Sequence, residues 1–212
     1  MEFIKYIIDL FLHIDKNLVL VVAKYGTLTY GLLFFVIFME TGLVVTPFLP
    51  GDSLLFAAGA LAAMGSMKIG FLWVLMAIAA VVGDTVNYWI GHFLGRGVFE
   101  TGSRFFKKEY LEEAEAFYAK HGGAAILLGR FVPIVRTFVP FVAGVSEMSY
   151  KHFILYNIIG GLSWVTLFLM GGFLFGNIPF VKENFHYVVI IIVLISIVPI
   201  IWTAIKRGKK KK

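Results

Sequence analysis

The sequence predicts an all-α polytopic membrane protein: an inverted repeat with two oppositely oriented re-entrant helical hairpins, full transmembrane spans and an N-terminal amphipathic helix. Three observations lead there. Of 212 residues, 59% are hydrophobic and only 15% are charged, against about 25% charged in a soluble domain. Two proline- and glycine-broken segments carry charges inside apolar sequence, which lipid tolerates only where backbone is buried in protein or lines a cavity. The lysines and arginines fall unevenly between the loops, which sets an orientation. No linker composition or charge block divides the chain, so residues 1–212 read as one domain.

The chain opens with Lys5, Asp9, Asp15 and Lys16 interrupting an apolar run, with no small-residue cleavage site after it, so this is not a cleavable signal. Phe3, Ile4, Ile7, Ile8, Phe11, Ile14 and Leu18 recur at helical spacing. Residues 1–23 therefore read as an amphipathic helix lying in the interface, with packing on the bundle as the other option. The apolar run 27–39 ends on Glu40. It is short for a hydrocarbon core of about 30 Å unless it starts near Lys24 or continues past Glu40. Residues 42–66 form the first hairpin, broken at Pro47, Pro50 and Gly51. Asp52 is either a proton-coupling group or the N-cap of the helix that begins at Leu54. Glu40 has no capping role and is either a buried proton site or a residue at the membrane surface.

Ile69–Leu94 reads as a full span carrying Gly83-Asp84, with Asn87 and Tyr88 one turn later on the same face. Asp84 faces the bundle interior and joins the proton-coupling candidates, while Gly91 and Gly95 suit close helix packing. Residues 96–120 turn charged, and their remaining apolar positions repeat at helical spacing, as in a surface helix in water. His121-Gly122-Gly123 breaks that helix, and the second hairpin, 122–146, contains Arg130, Pro133, Arg136, Pro140 and Gly144. Residues 150–175 and 185–205 are two further spans joined by Asn177-Ile178-Pro179, and 206–212 form a basic tail.

The two arginines are the costly feature. Each would cost roughly 2.5–3.5 kcal/mol at the bilayer centre, so packing alone does not account for them. On an unbroken helix their offset would leave the guanidinium groups roughly 120° apart. Pro133 removes a backbone donor and disfavours helical geometry at Val132, which lets the groups converge. The functional reading is an anion site of Arg130 and Arg136; the other is a loop whose arginines snorkel to headgroups.

Orientation comes from the basic tail, which marks the cytoplasmic side and an anionic leaflet rather than a nucleic-acid surface. The last span then begins outside, hairpin 122–146 opens inward, hairpin 42–66 opens outward, and the N-terminus is cytoplasmic. Only Lys68 and Lys182 fall outside. Inverted repeats with broken helices place a substrate near the midplane, where alternating access exposes it to either side.

Enzyme chemistry finds no support. There are no cysteines, His13, His92, His121, His152 and His186 are not spaced as a zinc site, and no Walker or Gly-x-Ser-x-Gly motif occurs. No cofactor and no metal are expected. Arginine offers a fixed fork that fits phosphate, and a carboxylate in a poorly hydrated site can take and release a proton. Two other readings remain: a proton-coupled exporter of small cations or drugs using Glu40 and Asp52, and a non-transporting scaffold in which acid–arginine pairs only hold the hairpins.

Glu40 with Pro47-Phe-Leu-Pro50-Gly51-Asp52, Gly83-Asp84, and Arg130-Phe-x-Pro133-x-x-Arg136-Thr137 through Ala143-Gly144 resemble the bacterial DedA family, related to the VTT-domain lipid scramblases, over nearly the whole chain. The resemblance implies a bacterial inner-membrane protein with two facing re-entrant hairpins and a proton-motive-force-linked role in membrane homeostasis. For some members it implies return of undecaprenyl phosphate across the membrane, with residues matching Glu40, Asp52, Arg130 and Arg136 required. The expected partners are therefore a phospholipid or polyprenyl phosphate, protons and the membrane itself.

Overall fold

A computed structural model describes residues 26–43, 51–95, 108–132, 135–146 and 148–183. The expected interfacial helix 1–23, the breaks at Pro47, Pro50 and Pro133, the span 185–205 and the tail 206–212 lie outside the described residues. So does part of the charged segment 96–120.

The described residues are helical and contain no strand. In order they form α1 (Leu28–Gly42), α2 (Gly51–Ala63), α3 (Ile69–Leu94), α4 (Lys108–His121), α5 (Ala124–Gly129), α6 (Val135–Val145) and α7 (Tyr150–Val165). A π-helical turn, Thr166–Met170, leads on to α8 (Gly171–Gly176), and α9 (Pro179–Glu183) comes last. Among the described residues two helices are long and apolar enough to cross a membrane, Ile69–Leu94 and the continuous Tyr150–Gly176. They coincide with the spans read from composition. At 26 residues α3 is about 39 Å long, whereas α2, with 13, and α6, with 11, reach only about 20 and 17 Å. α3 stops at Gly95, whose φ of +61° and N–H bond to the Gly91 carbonyl (3.0 Å) close the last turn as a glycine cap does. Gly122, at φ +56°, separates α4 from α5 in the same way.

The chain divides into two compact units: residues 1–33, 50–73 and 166–212 in one, and 34–49 and 74–165 in the other. In the first unit α2 packs on the π turn and α8 with almost nothing between the backbones. A Cβ at Gly59 would meet the Leu169 carbonyl, one at Gly172 the Phe56 carbonyl, and one at Gly176 the Ala60 backbone. This is small-residue helix packing of the kind membranes favour. Trp73 Nε1 donates to Thr166 Oγ1 (2.9 Å), and the Lys68 N–H donates to the Tyr30 hydroxyl (2.7 Å).

In the second unit Phe138, Phe141, Phe153, Ile126 and Val142 form a buried core shared by α5, α6 and α7, with Ala114 of α4 and Tyr88 of α3 against it. α3 and α6 approach backbone to backbone, since a Cβ at Gly91 would meet the Phe141 carbonyl and one at Gly144 the Tyr88 carbonyl. Gly91 thus packs as expected, while Gly95 serves as a cap. One expectation is corrected. Pro140 and Gly144 do not break the segment read as the second hairpin, because α6 runs through both. The chain turns earlier, at Arg130–Val132. Proline is accommodated within α6 because it costs only the one bond to the Arg136 carbonyl.

Candidate functional site: a buried acid–arginine quartet

Glu40 sits in the last turn of α1 and is 1% exposed. A carboxylate there meets the negative end of the helix dipole, so it needs a cation. Arg136, in the first turn of α6, supplies it: Nη2 donates to Glu40 Oε1. The neighbouring Thr41 hydroxyl donates back to the Ile37 carbonyl (2.9 Å) and fills the space left by Gly83, where a Cβ would strike it. Asn87 of α3 ties the same two elements together, donating from Nδ2 to the carbonyls of Thr41 (3.1 Å) and Thr137 (2.7 Å).

Arg130, where α5 ends, is held differently. Its Nη2 donates to Asp84 Oδ2 and to Asn157 Oδ1, each at 2.6 Å, and all three residues are buried. Asn157 is fixed in turn, donating from Nδ2 to the Val81 carbonyl (2.9 Å) and to Thr85 Oγ1 (3.3 Å). The indole of Trp164 lies near both guanidinium carbons, 6.0 Å from that of Arg130 and 5.9 Å from that of Arg136. That is within range of a cation–π attraction for each.

Glu40, Thr41, Asp84, Arg130, Arg136, Thr137 and Trp164 line a partly open cavity of about 10 Å³, room for about one water molecule. Two acids and two arginines balance formally. Among the described residues three buried polar atoms make no hydrogen bond: Glu40 Oε2, Asn87 Oδ1 and Arg130 Nε. A site of this kind can exchange partners: any anion that reaches the arginines competes with the carboxylates for the same donors. Among the described residues no group of three or more His, Asp or Glu side chains gathers to hold a metal.

The structure therefore brings together Glu40, Asp84, Arg130 and Arg136. Asp52 stands in the first turn of α2, in the other unit. Gly51 begins that helix rather than lying in a loop. Sequence reasoning overlooked Asn157, Trp164 and Thr41, and gave Thr137 only as part of the arginine motif. Asn157 carried a usable signal, being an amide inside a long apolar span; Trp164 carried none, because tryptophan is common in such spans.

The VTT domain family model matches residues 49–174. Protein DedA of Escherichia coli K12 is 52% identical over 202 residues, covering 94% of this chain and 92% of that protein. An uncharacterized membrane protein of Mycobacterium tuberculosis H37Rv is 42% identical, covering 84% and 79%. The inner membrane protein YqjA of Escherichia coli K12 is 36% identical, covering 71% and 69%. No solved structure matches.

Proposed function

The chain belongs to the DedA family of VTT-domain membrane proteins, and from that premise we propose that it is a proton-motive-force-linked transporter of the inner membrane. Its cargo is a phosphate-bearing lipid, undecaprenyl phosphate foremost, which it flips across the bilayer. One observation carries this reading: the largely buried ion pair of Glu40 and Arg136 on the wall of the cavity. Carboxylate and phosphate are rival partners for one guanidinium fork. A proton placed on Glu40, at the unbonded Oε2, removes the carboxylate's charge and releases Arg136 to a phosphate. Loss of that proton on the other side restores the pair and expels the cargo.

The charge balance supports the coupling. The quartet is formally neutral, so a phosphate monoanion entering alone would leave a net negative charge in a poorly hydrated site. Entering with a proton, it does not. Linkage makes the effect reciprocal: protonation strengthens phosphate binding by the factor by which phosphate strengthens protonation. The cavity, at about 10 Å³, is smaller than a phosphate group, so the walls must part to admit one. The isoprenoid tail stays in lipid between helices.

In this reading α2 and α6, too short to span a core of about 30 Å, belong to re-entrant hairpins 42–66 and 122–146. These open to opposite sides as an inverted repeat, with both termini cytoplasmic. Glu40, and Asp52 where it reaches the pathway, carry the proton. A structural role suits the other half of the site, because Arg130 Nη2 donates to both Asp84 and Asn157. The test is translocation of a fluorescent polyprenyl monophosphate by the purified protein in liposomes. Flipping that is faster with a pH gradient than without supports the reading; flipping no faster than in empty liposomes rejects it.

A further inference from the structure

Asn157, Gly160, Gly161 and Trp164 succeed one another at i, i+3, i+4 and i+7, one face of α7. Every member of that face meets an arginine. Asn157 accepts from Arg130 Nη2 at 2.6 Å. A Cβ on Gly160 would stand 3.2 Å from Arg130 Cδ and Nε, and one on Gly161 3.5 Å from Nη2. The two glycines thus form a trough for the Arg130 side chain. Trp164, 2% exposed, closes the row with its ring about equally far from both guanidinium carbons. Arg130 Nη2 is bonded to Asp84 and Asn157, and Arg136 is paired with Glu40, the pair that exchanges in the proposed function.

Resting on the phosphate-site reading, we infer that Trp164 is the positioning residue for Arg136. The α7 face locks Arg130, Arg130 fixes one side of the indole, and the indole keeps the Arg136 guanidinium aimed into the cavity while its anionic partner changes. Without it, the long Arg136 stem has one restraint fewer while its partner changes, and phosphate capture must restrict more rotamers. The residue acts through Arg136.

The test uses the purified full chain in detergent, with farnesyl phosphate as probe and farnesol as the control for tail binding. Trp164→Leu weakens farnesyl phosphate binding by about thirtyfold, a desolvated cation–π contact's worth, and leaves farnesol binding unchanged. Trp164→Phe restores affinity to within about threefold of wild type, since a phenyl face keeps the attraction in weaker form. A protein in which Trp73, Trp89 and Trp202 are phenylalanine leaves Trp164 as the only indole, and its emission changes on adding farnesyl phosphate. This readout decides the matter if Trp164→Leu does not fold. Arg136→Ala separates the two claims. If it abolishes phosphate binding while Trp164→Leu binds like wild type, or the single-tryptophan emission does not respond, the positioning role is overturned and the site stands. If Arg136→Ala binds farnesyl phosphate undiminished, the site reading falls and the positioning role with it.

Discussion

At the scale of single residues, the two arginines differ in how they are held, and the difference is measurable. Asp84→Asn leaves Arg130 buried with its charge uncompensated, a change that costs about 3–5 kcal/mol in other buried pairs. A marked loss of thermal stability in detergent is expected, not restored by phosphate lipid, because Arg130 is tied into α3 and α7 whatever the cargo does. Glu40→Gln also removes a charge, but from the pair proposed to exchange with phosphate. Farnesyl phosphate is expected to raise the melting temperature of Glu40→Gln by more than that of wild type. Equal rescue of both variants would show that the arginines are equivalent. The sequence made these four residues visible as charges in apolar surroundings, which is why Glu40, Asp84, Arg130 and Arg136 could be singled out. It did not reveal who pairs with whom. Asp84 and Arg130 meet across 46 positions, and that meeting depends on how α3 is rotated about its axis, which spacing along the chain does not encode. Asp52 lies in the first turn of α2, among the helices of the first unit.

At the scale of elements, α3 and α6 stay close because two glycines leave no side chain between them. Gly144→Ala would drive a methyl into the Tyr88 carbonyl, so a loss of roughly 1–3 kcal/mol is expected from forced backbone movement. Gly31, in α1, has nothing within 4 Å of its missing Cβ, and Gly31→Ala is expected to stabilise by up to about 1 kcal/mol through helix propensity. Thermal unfolding in detergent compares the two, and a Gly144→Ala protein as stable as Gly31→Ala would refute the close approach. The long spans were readable because apolar length alone marks them. The course of α6 was not, since Pro140 looks like a break, yet tertiary packing carries the helix through it. The π turn at Thr166–Met170 left no mark in the residues that form it.

At the scale of the whole molecule, transport needs both a topology and an exchange of partners. The topology is checked with single cysteines in a chain that has none. Ser66 and Ser146 are both exposed and end the hairpins assigned to opposite faces. An impermeant thiol reagent is expected to label Ser66→Cys from outside intact cells and Ser146→Cys only after the cytoplasm is opened; labelling of both from one side contradicts the inverted arrangement. The exchange on Arg136 is the central claim, and the most direct measurement of it is farnesyl phosphate affinity against pH for wild type and Glu40→Gln. The probe's own second ionisation, near pH 6, affects both proteins alike and cancels in their ratio. If Glu40 and phosphate compete for Arg136, Glu40→Gln binds more tightly than wild type at high pH. That advantage shrinks by up to about tenfold per pH unit as acid neutralises Glu40 in the wild type. A ratio that stays constant with pH, or a Glu40→Gln protein that binds more weakly throughout, would contradict it.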